Sequence, residues 1–517
     1  MGPHGREDAL EDAARNRAAE IVRGEGVDKD LMKLVLTGNG AAVQEEPRQI
    51  PVGARIDVLV CGGGVAGLAA AVAAARNGAD TLLVERNSFI GGTATAAMMP
   101  VIAVAFSSLR GVAAEFFDRL VGMGAAGKSA LDLVPFDPEA FKFLALDMLQ
   151  EAGVRLLLYS WVSEPLMDGE RLAGVVVENK SGRQALLGKA VIDTSGDGDV
   201  AARAGAPFQI GREQDNKMRP MTLLFRMGNV DLGKVASYVE AHPDQFSRSP
   251  ARRVVDRERN FIRVMGFYDL MTEGREKGEI DGNLHYLRIE GGNGEAGLVF
   301  INTTRVYGVD GTNAWDLTRA ELEGRRQVKD LVGFLRRRVP GFERACLVDV
   351  SSNLGVRETR HILGEHILTE ADAAAGRHFP DSIGLAYTNH TPGAAMHSPD
   401  GDEGSERDLK MRYLIEKSVG FHIPYRSLLP LGVDGLLVAG RCMSSSHDGD
   451  AWTRGMNTCM HTGEAAGTAA ALAVKEGVLP RNVNVGQLQE RLAAQGIGFG
   501  ERPIEPIAAQ IPPTTKH

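Results

Sequence analysis

Three glycines, Gly62-x-Gly64-x-x-Gly67, follow the short apolar run IDVLV at 56–60 and open the alanine-rich segment LAAAVAAARNG. That spacing suits a turn that cradles a pyrophosphate. The first glycine permits the bend, the second lets backbone approach the anion, the third allows close packing, and the helix start offers free N–H groups. Glu85 ends a second apolar run, DTLLVER, about twenty residues further on, where a carboxylate can accept both hydroxyls of an adenosine ribose. Val65, Ala66 and Arg86 flank these positions. A second match to the glycine spacing, Gly292-x-Gly294-x-x-Gly297, lies between two strand-like runs with no helix, and reads as a hairpin loop.

An ADP site serves either NAD or FAD, and three later segments favour the longer, extended FAD. Asn87 to Thr93 carries the pair Gly91-Gly92 followed by Thr93; VIDTSGDGD at 191–199 closes on Ser195, Gly196 and Asp197; LLVAGR at 436–441 closes on Gly440 and Arg441. Each can bring backbone against phosphates or a flat ring system. Residues 89–95 hold no His or Cys, so the FAD is expected to be non-covalent.

Together these segments resemble the FAD-dependent oxidoreductase family, within the glutathione-reductase and fumarate-reductase type of flavoproteins. The likeness is carried by DVLVCGGGVAGLAAAVAAARNG, LLVER, GGTAT, DTSGDGDVAARAGAPF, NTTRVYGVDGTNAWDLTRAELEGRRQ, GVRETRHILGEHILTEAD, IPYRSLLP and GLLVAGRCMSSSHDGDAWTRGMNTCMHTGEAAGTAAALA, spread over roughly residues 55–475. It implies a Rossmann-like FAD domain with a substrate domain over the flavin. It also implies that the helix after Arg454, Gly455, Met456 and Asn457 points its N-terminus at the pyrimidine edge of the flavin, where partial positive charge favours the anionic reduced ring. His447 and His397 match positions of family histidines and are the candidate acid–base groups, since a flavin dehydrogenase needs a proton acceptor while hydride leaves. Arg357, with Glu358 and Arg360, is a candidate carboxylate-positioning patch, although arginine and glutamate at such spacing more often form a structural ion-pair cluster.

Those side chains need a scaffold. Strand, glycine turn, helix and strand over 56–86 make a βαβ unit of a parallel sheet. DPEAFKFLALDMLQEA at 137–152 begins with an Asp-Pro cap; VRLLLYSWV, RLAGVVVEN and KAVIDTSG read as strands. Beyond 207 strand-like pieces (287–290, 298–308) alternate with an amphipathic helix near 318–338, and near 435 the parallel-strand pattern returns, followed by a helix over 457–475. The expected fold is therefore α/β: a discontinuous Rossmann-like FAD-binding domain, 52–206 plus 431–480, with an inserted α+β substrate domain, 207–430. A charged helical extension, 1–50, precedes it and a tail, 481–517, follows.

Composition narrows the partners. Among 517 residues, 58 Lys and Arg against 67 Asp and Glu give a net charge of −9, which excludes a global basic field for nucleic acid or anionic lipid. Four cysteines without a Cys-x-x-Cys fit neither a disulfide framework nor a metal centre, and point to a reducing cytoplasm. Met1–Lys33 lacks the apolar core of a secretory signal. The uncharged windows Val58–Ala75 and Asn87–Leu109 are broken by glycines and a proline, so no membrane span is expected. A small organic substrate is the expected partner, a homo-oligomer is compatible, and the electron acceptor is open. The expected reaction is hydride transfer between a CH–OH or CH–CH group and flavin N5; the alternative is a monooxygenase or hydroxylase reduced by NAD(P)H.

Overall fold

The computed structural model describes residues 47–104, 106–127, 134–247, 253–258, 261–291, 297–388, 398–400 and 419–500, with two short strands nearer the N-terminus. The chain divides into two compact units, residues 1–51 and 52–517. In the first, Val35–Thr37 and Ala42–Gln44 pair antiparallel. The helix expected within 1–50 lies outside the described residues.

The second unit starts with β1 (Val52–Cys61), α1 (Val65–Arg76) and β2 (Thr81–Val84). Ten consecutive residues of α1, Val65 to Ala74, are buried, so this all-round apolar helix is a core element rather than a surface one. Then come α2 (Gly111–Gly122), α3 (Pro138–Glu151), β3 (Arg155–Leu157), β4 (Trp161–Asp168), β5 (Arg171–Asn179), β6 (Gly182–Asp193) and the short α4 (Asp199–Arg203). Asp137 caps α3 by accepting the Glu139 N–H at 2.7 Å, with Pro138 in the first turn. The strands form one sheet in the order β3-β2-β1-β6-β5-β4. Its β3-β2-β1-β6 part is parallel, whereas β6-β5-β4 is an antiparallel meander. A strand from far along the chain, Leu436–Val438, joins in parallel beside Val191–Asp193.

A second sheet comprises β7 (Phe225–Gly228), β8 (Arg253–Asp256), β9 (Phe261–Gly266), β10 (Leu287–Gly291), β11 (Val299–Ile301) and β12 (Cys346–Val350), in the order β8-β9-β10-β11-β7-β12. The run at 298–308 is strand only over three residues, shorter than its composition suggests. From Asn302 to Val306 the chain continues as buried connection, its backbone held by Gln327 and the Met221 segment. β10 and β11 pair antiparallel on either side of the Gly292–Gly297 match. Strand alternation sends Phe225, Met227, Ile262, Val264, Ile289 and Ile301 to one face. There they pack on α5 (Leu232–Ala241), α6 (Tyr268–Glu276) and α7 (Ala314–Arg338) through Val235, Met271, Leu331 and Phe334.

The chain returns through α8 (His447–Thr453) and α9 (Met456–Glu476). A Cβ on Gly463 would lie 2.1 Å from the Ala66 carbonyl oxygen, and one on Gly467 2.1 Å from that of Ala70, so α9 lies directly on α1. The same helix buries Glu464 against α2, where its carboxylate accepts the Val112 N–H at 2.9 Å. Among the described residues no helix is long and apolar enough to cross a membrane.

Burial pushes the Glu464 carboxyl up to about 7 from an ordinary 4.5, against the pull of the Val112 N–H and Arg76. The native state thus keeps the proton across a window in which the unfolded chain has released it, so stability falls as pH rises from about 4.5 to about 7, by on the order of 3 kcal/mol. Glu464→Gln should remove that loss. Thermal melts should show little gain from the substitution at pH 5 and a clear gain at pH 8; an equal offset at both pH values would contradict this.

Candidate active site

The glycine turn follows β1 directly. Gly62 adopts φ +112°, a conformation that favours glycine, and a Cβ there would sit 2.6 Å from the Thr194 carbonyl oxygen. Gly64 differs: nothing lies within 4 Å of its missing Cβ, and it opens on a cleft. α1 starts at Gly64 with no side-chain cap, leaving its first N–H groups available to an anion. Gly67 packs into the turn, its missing Cβ 1.8 Å from the Gly62 carbonyl oxygen and 2.8 Å from Thr194 Oγ1. At the end of β2, Glu85 accepts the Gly63 N–H at 2.6 Å through Oε2 and the Asn87 N–H at 2.7 Å through Oε1. A carboxylate has about four lone-pair sites, so two hydroxyls can still be received.

At the end of β6, buried Asp193 organises the Ser-Gly-Asp-Gly-Asp loop. Oδ1 accepts the Ser195 N–H at 2.9 Å; Oδ2 accepts those of Val200 and Ala201 at 3.0 and 2.9 Å. Burial pushes its carboxyl up, and these N–H groups pull it back in part. Asp197 in the same loop receives Arg441 at 2.8 Å and the Thr359 hydroxyl at 3.0 Å.

These strand ends line a cleft open to solvent. Of the residues expected there, Gly62, Gly64, Val65, Ala66, Glu85, Arg86, Gly92, Thr93, Ser195, Gly196, Asp197, Gly440 and Arg441 line it. Gly67 instead supports the turn. Gly91, at φ +121°, donates to the Gly63 carbonyl at 2.8 Å and stands behind Gly92. Gly455, Met456 and Asn457 are not among the residues that line the cleft. Asn457 donates to the Tyr387 carbonyl and borders a separate small cavity with His461, and it is Cys459, further into α9, that lines the cleft. Sequence reasoning missed Asn353, Leu354 and Val356, which close the cleft from the segment after β12. It also missed Trp161, which lies under the Arg86 guanidinium, 5.1 Å from its ring centre, in an adjoining cavity that shares Glu85. Neither carries a motif.

Behind Val356 the chain enters a buried charged cluster. Glu358, fully buried, accepts His447 Nδ1 at 2.6 Å and His361 Nε2 at 2.8 Å on one oxygen, and the Arg219 backbone N–H at 3.1 Å on the other. Burial opposes ionisation, but the two histidines and Arg219 outweigh it and hold the carboxyl far below its ordinary range. For His361 burial works against the imidazolium, yet the Glu358 bond and the Asp450 and Glu358 charges leave the ring raised. Asp450 is buried with neither oxygen hydrogen-bonded, 3.6 Å from Arg219 Nε and 3.5 Å from Arg454 Nε, and burial pushes it up. With Nδ1–H given to Glu358, His447 keeps Nε2 as the basic nitrogen, and no described residue takes that atom.

The other candidates fall as follows. Arg357 donates to the Pro220 carbonyl, and Arg360 holds Asp199 at 2.9 Å and the Asp197 carbonyl at 3.0 Å, so both tie this segment to its neighbours. Arg454 faces Asp450. His397 lies outside the described residues. Asp193→Ala would strand three backbone N–H groups, two of them buried, and should cost on the order of 2–4 kcal/mol, read by denaturant unfolding; a loss below about 1 kcal/mol would show that the loop holds without it.

Three solved structures illustrate the similarity to known folds. A geranylgeranyl bacteriochlorophyll reductase-like protein from Thermoplasma acidophilum is 14% identical, with 86% of this chain and 83% of that one covered and a TM-score of 0.41. The p-nitrophenol 4-monooxygenase PnpA of Pseudomonas putida is 14% identical over 85% and 84%, TM-score 0.43. The myxobacterial chondrochloren halogenase CndH is 13% identical over 85% and 78%, TM-score 0.43. No curated protein matches the sequence. The model of the family described as FAD dependent oxidoreductase matches residues 57–492, most of the chain, and this protein belongs to that family.

Proposed function

We propose that FAD binds in the cleft with its pyrophosphate at the Gly62–Gly67 turn and its ribose hydroxyls on Glu85, and that a small organic substrate is oxidised at a CH–OH or CH–CH group. The fit rests on the bare face of Gly64, the uncapped start of α1 and the spare lone pairs of Glu85. Bound FAD supplies a hydride acceptor. Attachment is non-covalent: Cys459, the cysteine among the residues that line the cleft, has a thiol that burial pushes up to about 12, so it is no nucleophile at neutral pH.

The observation that carries the reaction is the Glu358–His447 pair. Glu358 stays ionised, fixes the ring and tautomer of His447, and stabilises the imidazolium formed when Nε2 takes a proton from the substrate. Arg219 keeps the pair in place by donating to the His447 carbonyl at 2.7 Å. Thr359, bonded to Asp197, links this cluster to the cofactor cleft.

Anaerobic bleaching of the flavin by a panel of alcohols, sugars and hydroxy acids tests this. If NAD(P)H alone bleaches it, and oxygen is then consumed with product hydroxylation, the monooxygenase reading replaces it. His447→Ala should keep FAD and slow flavin reduction by substrate about 10²–10⁴-fold. An unchanged rate in stopped-flow would remove His447 from the chemistry.

A further inference from the structure

The second sheet has two unlike faces. One is the apolar core described above. Across the other, the strand register aligns Asp349, Arg226, Phe300, Glu290 and Arg263 in a single row over β12, β7, β11, β10 and β9. Such a row of charge is costly to bury unless it is internally paired. Most of it is: Arg226 pairs with Asp349, while Glu290 Oε1 receives Arg263 Nε at 3.2 Å and Arg288 Nε at 2.6 Å. Glu290 Oε2 is the exception, fully buried and without a hydrogen-bond partner.

Glu290 is among the residues lining a cavity open to solvent, shared with Arg226, Asp137, Phe136, Phe261, Leu298 and Phe300. Burial alone would raise Glu290, but Arg288 and Arg263 hold it below its ordinary value, so the unpartnered oxygen is an acceptor that needs a donor. With Asp137 also in the lining, three arginines stand against three carboxylates, so the charges balance and a neutral hydroxyl suffices as the donor. Apart from Asp137, the remaining lining is mostly aromatic and proline-rich, with Pro100, Pro135 and Pro138 opposite the sheet.

We infer that this cavity binds a hydroxylated ring compound, its hydroxyl donated to Glu290 and its ring held by Phe136, Phe261 and Phe300. The site adjoins the cofactor cleft along one short segment: Ala96 and Ala97 line the cleft, Pro100 and Val101 line the cavity, and Met98 between them packs on Phe300. Taking the compound as the substrate rests on the oxidoreductase reading proposed above; its binding does not.

Calorimetric titration of the oxidised holoprotein with phenol and with anisole, which lacks the donor, tests the site without turnover. Phenol should bind more tightly by about tenfold or more, the worth of one hydrogen bond to a charged group. Leu298→Trp, at a partly exposed wall, should fill the cavity and abolish phenol binding while the FAD content is unchanged. Absence of phenol binding, equal binding of anisole, or undiminished phenol binding by Leu298→Trp would each overturn the proposal. Because no flavin reduction is read, failure of the hydride reading would leave these outcomes distinct.

Discussion

The architecture depends on α9 lying closer to α1 than side chains permit. Gly463 and Gly467 bring the backbone of α9 against the Ala66 and Ala70 carbonyls, and Gly67 brings α1 against its own preceding turn. At such separations the contact is between backbones, with Cα–H groups facing carbonyl oxygens. Three further features follow from it. The uncapped start of α1 stays fixed behind the cleft, Cys459 reaches the cleft from α9, and Glu464 is pressed into α2. A single methyl at any of these glycines would move all three, because interiors packed to this density have no slack to absorb it.

The buried charges form a second tier, organised as small closed groups rather than scattered ions. Asp193 binds three backbone N–H groups of its own loop, Glu358 two histidines and Arg219, and Glu290 two arginines. Buried ions of this kind add little net stability but penalise any arrangement that leaves one member alone. They therefore fix geometry: the loop after β6, the His447 ring and the inward face of the second sheet. Thr359, bonded to Asp197 and neighbouring Glu358, couples the first of these groups to the second.

The nucleotide turn was legible because its glycines sit between a strand and a helix, a context that composition and spacing reveal. The 292–297 match was separable for the same reason. Burial was not legible. Arg357, Glu358 and Arg360 read alike as a charged triplet, yet Glu358 turns inward to two histidines while the arginines turn to neighbouring backbone and Asp199. Asn353, Leu354, Val356 and Trp161 have no chemical signature, and their place in the site comes only from how distant segments cross. The helix start at Gly455–Asn457 was legible, whereas helix phase, which turns Cys459 toward the cleft, was not. The strand after Leu298 was overextended because Val, Ile and Thr favour strands wherever they occur, while the Gln327 side chain captures the backbone there instead.

One edge of β6 is shared between two partners that are made at very different times. Its first half pairs with β5, the adjoining hairpin strand, while its last three residues pair with Leu436–Val438. At ribosomal rates of about 5–20 residues per second, the nascent sheet waits on the order of ten seconds or more for that strand. The second sheet and its helices, encoded wholly within the interval, emerge complete before the first can close. Each chain therefore passes through a stage in which the edge of β6 is bare, and the order of synthesis itself selects which half folds first.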